Sequence, residues 1–476
     1  MKVRRAATLV LALVAPAACS DETLSAEADA TAATDASGTA DALPDVPLRD
    51  DAALDAPADT SVDCEADQRQ AWSYTLPAVC KGRRTCVDAR QRFWVEGEPW
   101  IPRGVYNGGF EFQKLLGNCP AGAACEATTP ADVDAYVQML ASAGFNLIQE
   151  RSRNVAPLLA AVNANPAVRF AHLLWADPFT EQGHDAMAAE IAAAAADPDV
   201  VMWFGPDEVD VNYDWPTAAG IRRILRGASP ELDALLAGDY APPGTPYLPA
   251  GESAHDPEAL PFGAALAYDW GLAAGPSVYD VLLPITYPYQ PAQAWANLGE
   301  WSTARIDDLG ASGLPVVPVL QMIGIPSMDL AQPSADQIEA EIVSALVHGA
   351  RGAFYYTLIS DQPKLAGRDG WFAADDVAAW ARYREMHALE DRLIPAFYSE
   401  AEEEYGEIGD LEWRAFSLAG RRAILIVNPS PDPIHADLGP ALRADGHSVR
   451  GWVDCAPFDT GARSIAGYES LVVEVL

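Results

Sequence analysis

Short apolar runs alternate with helical segments over most of this chain, and this alternation limits the folds that it can adopt. Most of the runs are apolar on both faces, as in parallel strands that are covered by helices on each side. After a hairpin at 93–105 that runs into a first strand, the pattern predicts strands at 145–149, 168–175, 200–204, 281–286, 316–320 and 352–357. A predominantly parallel sheet of the α/β class is therefore expected.

The predicted helices call for one more strand. Their ranges are 129–143, 155–162, 186–196, 217–226, 263–272, 292–309, 334–348 and 375–393, and the weak apolar run at 245–249 is taken as the missing strand. Eight strand–helix units match a (β/α)8 TIM barrel, which needs roughly 250 residues plus insertions. A doubly wound open sheet is the alternative. Against it, no GxGxxG or GxxxxGK[ST] turn follows any of the predicted strands.

The pattern changes near residue 399 to short alternating strands at 413–418, 423–427, 448–453 and 471–476. Such alternation is typical of a half-exposed antiparallel sheet. We therefore expect a disulfide-stapled segment and barrel over 64–398, followed by a small C-terminal β-domain over 399–476.

The first 19 residues have the pattern of an export signal. Lys2, Arg4 and Arg5 precede an apolar run of about nine residues, whereas a helix needs roughly 20 to cross a bilayer. The small residues just before Cys19 resemble the lipobox of bacterial lipoproteins, which implies that Cys19 is lipidated. We expect an exported protein held at the outer membrane or cell surface of a bacterium by this anchor alone. Secretion without a lipid is the alternative.

Residues 20–63 form an acidic Ala/Asp/Thr/Pro segment with 12 acidic residues against one basic residue, Arg49. Such a composition cannot bury enough apolar surface to fold, so the segment is predicted to be a disordered tether. The whole chain has a formal net charge of −37, although half of its residues are hydrophobic. This charge excludes an ordinary nucleic-acid binder. We expect a monomer whose charge disfavours polyanionic partners.

Seven cysteines occupy positions 19, 64, 80, 86, 119, 125 and 455. With Cys19 carrying lipid, six remain for three disulfides, which persist in exported proteins. The short spacings suggest Cys80 with Cys86 and Cys119 with Cys125, which leaves Cys64 for Cys455. A metal site is the alternative, but no pair has CxxC spacing. No metal and no cofactor are therefore expected.

Active sites of (β/α)8 barrels are built at the C-terminal ends of the strands. The residues at and after the predicted strand ends are mostly carboxylates and aromatic rings. Carboxylates supply acid and base, and flat rings stack on the apolar faces of sugars, so together they indicate a carbohydrate site. The candidates for substrate binding are Glu150, Trp175, Asp177, Tyr287, Tyr289, Gln321, Tyr356, Asp361 and Trp371.

The run Val201-Met202-Trp203-Phe204-Gly205-Pro206-Asp207-Glu208 resembles the fourth strand of clan A glycoside hydrolases, and the resemblance extends loosely over about 300 residues. It includes Glu96-Gly97-Glu98-Pro99-Trp100, Ala143-Gly144-Phe145-Asn146, Tyr287-Pro288-Tyr289 and His348-Gly349-Ala350-Arg351-Gly352. The chain looks most like uncharacterised bacterial barrels that carry an Asp-Glu pair after the fourth strand. The resemblance implies that Glu208 is the general acid, with Asp207 as its partner.

Two positions depart from this clan. Asp207 stands where the clan has Asn, and Gln321 stands at the end of the seventh strand, where the clan has its nucleophilic Glu. An amide cannot attack an anomeric carbon as a carboxylate does, so the retaining mechanism loses its nucleophile.

Three hypotheses remain. In the first, the substrate assists, as in family 20 hexosaminidases, whose Asp-Glu-Val run resembles Asp207-Glu208-Val209. In the second, Glu208 is the acid of an inverting pair whose base is Asp177, Glu150 or Asp361. In the third, a degenerate barrel binds glycan at the cell surface without cleaving it. We expect a glycoside hydrolase acting on an extracellular or cell-wall glycan, with the non-catalytic lipoprotein as the alternative.

Overall fold

A computed structural model describes residues 60–106, 130–151, 155–174, 181–204, 262–266, 280–286, 288, 302–322, 324, 331–356, 359–360, 371–372, 376–443 and 447–476. The fifth predicted strand, at 245–249, and the helix predicted at 217–226 lie outside these residues. So does the predicted signal segment, 1–19.

Eight parallel strands close into a barrel. Each pairs with the next along the chain, and the last pairs with the first. This confirms the predicted (β/α)8 fold and excludes the open sheet, whose edge strands would not pair. In chain order the barrel strands are β4 (Arg103–Val105), β5 (Leu147–Arg151), β6 (Arg169–Leu173), β7 (Val200–Phe204), β8 (Phe262–Leu266), β9 (Val281–Thr286), β10 (Val319–Gln321) and β11 (Ala353–Tyr356).

The fifth barrel strand corrects the sequence prediction. It is Phe262–Leu266, which pairs with β7 on one side and β9 on the other, whereas a helix was predicted at 263–272. A short apolar run such as Phe-Gly-Ala-Ala-Leu carries no period that separates a buried strand from a helix. Alanine and leucine are also strong helix formers, which favoured the wrong choice. Pairing within the barrel overrides that local preference.

Helices lie between and after the strands, and their caps match the sequence signals. Ser334 accepts from the backbone of Gln337, and the Gln337 side chain accepts in return, which confirms the predicted capping box. Asp376 caps the last long helix by accepting from Ala379 N. The helices are α1 (Thr60–Ala71), α2 (Pro130–Ser142), α3 (Val155–Asn163), α4 (Glu181–Ala195), α5 (Ala304–Gly310), α6 (Ala335–Val347), α7 (Val377–Tyr398) and the short α8 (Gly439–Leu442).

A small antiparallel sheet precedes the barrel, with strands β1 (Thr85–Val87), β2 (Phe93–Val95) and β3 (Glu98–Pro99). Glu96 and Gly97 form its two-residue turn, both at positive φ, as a type I′ hairpin requires. The predicted turn at Gly97 is thereby confirmed. Before this sheet, α1 begins at Thr60, so residues 60–63 are helical and do not continue the predicted tether.

Two disulfides tie this first part of the chain down. Cys80 pairs with Cys86, and Cys64 in α1 pairs with Cys455 across a sequence separation of 391 residues. Both pairings confirm the prediction, whereas Cys119 and Cys125 lie outside the described residues. Close to the long bridge, the buried Glu474 carboxylate accepts from Trp72 Nε1 at 3.0 Å. The start and the end of the folded chain are therefore held together.

After α7 the chain forms a five-stranded antiparallel sheet in the order β14-β15-β16-β20-β18, beside a two-stranded sheet of β17 and β19. One face of the large sheet shares the barrel's apolar core, and the other face covers a smaller core of its own. The strands are β14 (Glu402–Ile408), β15 (Leu411–Leu418), β16 (Arg421–Val427), β17 (Ile434–Asp437), β18 (Val449–Gly451), β19 (Ala462–Ile465) and β20 (Ser470–Val475). A short pair within the barrel segment joins β12 (Ile359–Ser360) and β13 (Trp371–Phe372).

No helix among the described residues is long and apolar enough to cross a membrane.

Candidate active site

The C-terminal ends of the barrel strands converge on a cluster of aromatic rings. The Tyr106 ring, just beyond β4, lies 5.6 Å from the Phe204 ring at the end of β7 and 5.8 Å from the Tyr356 ring at the end of β11. Phe204 also packs edge-on against Phe354, at 5.5 Å. Because these contacts join strands from different sides of the barrel, the four side chains fill its interior. They form the floor of the mouth at which active sites of this fold are built.

Tyr356 is the described member of this floor that remains partly exposed, whereas Tyr106 and Phe204 are buried. Its hydroxyl and ring therefore suit contact with a ligand from above. Sequence reasoning selected Tyr356 as a substrate-binding residue, and the structure places it at the mouth. Its role in binding stays a prediction.

Gln321 ends β10 and is paired with Tyr356 on the neighbouring strand. Adjacent residues in register on parallel strands point to the same side, so Gln321 lies on the interior face with Tyr356. Its backbone N donates to Glu341 Oε1 at 3.0 Å, and its side-chain Nε2 donates to Ala331 O at 2.6 Å. The side-chain amide of Gln321 is thus engaged with a main-chain carbonyl, and its backbone N–H with a carboxyl group of α6.

Glu150 lies on the opposite face of its strand. It is in register with His172, whose Nε2 is 2.6 Å from Glu190 Oε1 in α4, so both residues face the helix layer. Glu150 is also completely buried. By the same register Gln149, paired with Ala171, lies on the interior face. Glu150 was expected to bind substrate or to serve as the base of an inverting pair, and this placement turns its carboxylate away from the mouth.

Most of the other predicted site residues lie outside the described part of the chain. The backbone at Trp371 belongs to β13, where it pairs with Ser360. Glu208 follows Phe204 by four residues in the sequence, so the chain enters the Gly205-Pro206-Asp207-Glu208 run from the floor of the mouth. The predicted residues outside the described part are Asp207, Glu208, Trp175, Asp177, Tyr287, Tyr289, Asp361 and Cys19.

A buried layer of polar groups supports β10 and β11 from behind. Burial raises the pKa of Glu341 well above its usual range, although the bond from Gln321 N acts against this. Burial therefore favours the neutral form of this carboxyl. Burial and the nearby Arg103 lower the pKa of His387 to about 3. Because a carbonyl only accepts, the neutral His387 donates from Nδ1 to Ala143 O at 2.7 Å and accepts at Nε2 from Tyr355 OH at 3.2 Å.

Arg103 and Glu390 belong to the same layer at the other end of the strands. Arg103 donates to His387 O at 2.8 Å and to Asp391 Oδ1 at 2.7 Å, and its Nε lies 3.8 Å from Glu390 Oε2. Burial raises the pKa of Glu390 to about 8, although the Arg103 charge opposes the shift. These groups lie near the start of β4, at the face of the barrel that governs stability and not catalysis.

Side chains at the mouth offer hydrogen bonding and ring stacking. Tyr356 is partly exposed there, whereas the amides of Gln149 and Gln321 are buried and the rings of Tyr106 and Phe204 close the floor. Within the described ranges, no group of three or more His, Cys, Asp or Glu side chains could hold a metal ion.

Solved structures share this architecture. A glycoside hydrolase superposes with a TM-score of 0.52 at 13% identity, over 85% of this chain and 98% of its own. The shared fold is the (β/α)8 barrel. AmyP in complex with maltotriose is similar as well, with a TM-score of 0.50 at 9% identity, over 79% of this chain and 97% of its own. At these identities the likeness shows the fold alone. No family model and no curated protein matches the sequence.

Sequence reasoning missed two residues that shape this region, Glu341 and Gln332. Both act through the backbone next to Gln321, since Glu341 accepts from Gln321 N and Gln332 bonds to Met322 and Gly324. Main-chain partners leave no mark in the spacing of side chains. The usable signal for Glu341 is an acidic residue at a core position of the otherwise apolar face of α6.

Proposed function

We propose that this protein is an exported glycoside hydrolase that cleaves O-glycosidic bonds of an extracellular or cell-wall glycan. The observation that carries the proposal is the closed barrel whose fourth strand ends at Phe204, on the floor of an aromatic mouth, four residues before Glu208. The fold shared with glycoside hydrolases supports it. Glu208 is assigned as the general acid that protonates the leaving oxygen, with Asp207 as its partner.

Two catalytic schemes suit this assignment. In one, an acetamido group of the substrate attacks the anomeric carbon while Asp207 orients it. In the other, a second carboxylate activates water on the opposite face of the sugar, at a separation of roughly 6.5–9.5 Å from Glu208. Asp177 and Asp361 are the candidates for this base, because Glu150 faces the helix layer. Inversion and substrate assistance differ in the anomer of the first product, which NMR of a fresh digest distinguishes.

The remaining site assignments belong to the same proposal. Trp175, Tyr287, Tyr289, Tyr356 and Trp371 supply rings or hydroxyls to the sugar. The protein is held at the bacterial envelope through a lipid on Cys19 and acts as a monomer. Mass spectrometry of the N-terminal peptide from native membranes tests the anchor, since an acylated Cys19 is expected and an unmodified residue would contradict it.

Incubation of the purified protein with a panel of neutral and amino-sugar glycans, followed by product analysis, tests the proposed hydrolysis. We expect shortened products from at least one glycan and none with the Glu208→Gln variant; in the substrate-assisted scheme, Asp207→Asn causes a strong loss as well. Gln138→Glu, an exposed change in α2, is the matched control and should cleave as the wild type does.

A second function is favoured by one observation, the engaged amide of Gln321 at the position of the clan's nucleophile. On this account the mouth binds glycan without cleaving it. Binding on a glycan array without any cleaved product would support this function and contradict the hydrolase.

A further inference from the structure

The two ends of the segment that follows the seventh barrel strand are joined by glutamine side chains. Gln321 Nε2 donates to Ala331 O at 2.6 Å. Gln332 Nε2 donates to Met322 O at 3.1 Å, and Gln332 Oε1 accepts from Gly324 N at 2.9 Å. These three hydrogen bonds define a glutamine clasp that consists of Gln321, Met322, Gly324, Ala331 and Gln332.

Gly324 lets the two backbone segments of the clasp approach each other. A Cβ at this position would lie 2.7 Å from Gln332 N and 3.1 Å from the Ala331 carbonyl carbon. Contacts to backbone atoms at such distances cannot be relieved by turning a side chain. Any larger residue at position 324 would therefore separate the two backbone segments of the clasp.

The backbone of the clasp is fixed from two further directions. Gln321 N donates to the buried Glu341 Oε1 of α6 at 3.0 Å, and Met322 N donates to Tyr356 O of β11 at 2.8 Å. The direction of the Gln321 side chain is thus set by its neighbours. Because the Tyr356 backbone is bonded to the clasp and its side chain is partly exposed at the mouth, the clasp determines the shape of the mouth beside it.

Gln321 must supply a donor to this arrangement, because the atom that faces it is a carbonyl oxygen. An ionised carboxylate has acceptors only, so a glutamate here would set two acceptors against each other. A protonated glutamate retains one O–H that can donate. The chemistry of the position therefore suits an amide and disfavours the charged nucleophile that the clan carries there.

We propose that Gln321 is a positioning residue, which fixes the wall of the mouth beside Tyr356 through the glutamine clasp, and that an amide is required at this position. The clasp itself rests on the contacts described here, while its consequence for substrate binding rests on the proposed function. The carboxylates of the reaction then come from strands other than the seventh.

Hydrogen exchange followed by mass spectrometry tests the clasp in the full-length protein without any substrate. After correction for intrinsic rates, Gln321→Glu is expected to speed exchange in peptides spanning 320–334 at least tenfold at pH 8. At pH 5, exchange is expected to return toward that of the wild type, because burial against a carbonyl oxygen raises the pKa of the introduced carboxyl and favours its protonated form. In the same peptides, Gln321→Leu should exchange faster than the wild type at both pH values. The matched control Gln138→Glu should exchange as the wild type does at both. If Gln321→Glu exchanged as slowly as the wild type at pH 8, the proposal would be overturned.

The effect on the mouth has its own readout. For a glycan that the wild type cleaves or binds, Gln321→Glu is expected to raise KM or Kd about tenfold at pH 8 and to leave it near the wild-type value at pH 5. A pH-independent change would overturn the positioning role. If no glycan is bound or cleaved at all, the proposed function fails, whereas the exchange experiment still decides the clasp.

Discussion

At the residue scale, His348 joins three parts of the fold. Its Nδ1 lies 2.8 Å from Asp307 Oδ1 of α5, its Nε2 lies 3.1 Å from Glu412 Oε2 of β15, and its ring packs on Tyr405 of β14 at 4.9 Å. Burial acts to lower the pKa of His348, but the two carboxylates outweigh it and raise the pKa to about 9. The buried imidazolium therefore connects the barrel helices to the C-terminal sheet at neutral pH.

This pKa predicts a pH-dependent stability. The folded pKa of about 9 exceeds the unfolded value of 6.5, so the stabilisation is complete below pH 6.5 and is lost as the pH rises through 9. His348→Gln should lower the free energy of unfolding by about 1–3 kcal/mol at pH 6, and this difference should shrink toward pH 9.5. Urea unfolding across this range measures it. The exposed His447→Gln is the control and should show no such trend; a constant difference for His348→Gln would contradict the account.

Residue-level prediction of the site reached its limit at Glu150. Because β5 (Leu147–Arg151) has an apolar residue followed by a polar one on each face, the sequence does not show which residues face the interior, and only the register with β4 and β6 settles it. A shift of one residue moves a side chain from one face of a strand to the other. Gln321 and Tyr356, by contrast, lie in register at the ends of β10 and β11, and their role in substrate binding stays a prediction.

At the element scale, α1 is held to the C-terminal sheet by both covalent and polar contacts. Asp67 accepts from Arg421 at 2.8 Å and from Arg450 at 2.7 Å, and these bonds lower the pKa of its carboxyl to about 2. The Cys64–Cys455 bridge joins α1 to the loop that follows β18. The two ends of the folded chain are therefore held together.

The two disulfides are expected to differ in their effect on stability. The Cys64–Cys455 bridge spans 391 residues and the Cys80–Cys86 bridge spans 6, and a longer loop loses more unfolded-state entropy on closure. Replacing Cys64 and Cys455 by Ser should lower the free energy of unfolding by about 2–5 kcal/mol. The matched double replacement at Cys80 and Cys86 should cost less. Chemical denaturation of both variants decides this, and the reverse order would contradict the entropic account.

Element prediction succeeded where local signals and tertiary demands agreed. The fully apolar β7 and the capped α6 were predicted within about one residue. It failed at β8, where the Phe262–Leu266 run is a strand only because β7 and β9 pair with it. This pairing follows from the closure of the barrel, and the five residues of the run do not by themselves reveal it.

At the scale of the whole molecule, the C-terminal sheet and the barrel share one core. The Phe416 ring of β15 lies 4.8 Å from the Phe397 ring of α7, and Trp452 packs edge-on against Trp72 at 6.0 Å. All four residues belong to the same apolar cluster as the barrel strands. The C-terminal sheet therefore braces the barrel.

A shared core predicts a single cooperative unfolding transition. Scanning calorimetry of the protein should give a calorimetric unfolding enthalpy equal to the van't Hoff enthalpy. Phe416→Ala should lower the stability of the whole unit by about 3–5 kcal/mol without splitting the transition. Val453→Ala, at an exposed apolar position, should change it little. Two separate transitions in the wild type would contradict the bracing role.

The proposed role of Glu208, donation of a proton to the leaving oxygen of a glycoside, is tested by how the loss of activity in a variant depends on the leaving group. The measurement compares kcat/KM of the wild type and Glu208→Gln on two aryl glycosides of the sugar that the wild type releases. One carries the acidic 2,4-dinitrophenol and the other a methylumbelliferyl group, which needs protonation.

For the methylumbelliferyl substrate, Glu208→Gln is expected to lose 10²–10⁴-fold in kcat/KM, on the order expected when a general acid is removed. The loss on the dinitrophenyl substrate should be much smaller, because that group leaves without help. Equal losses on both substrates, or no loss on either, would contradict the assignment of Glu208 as the general acid.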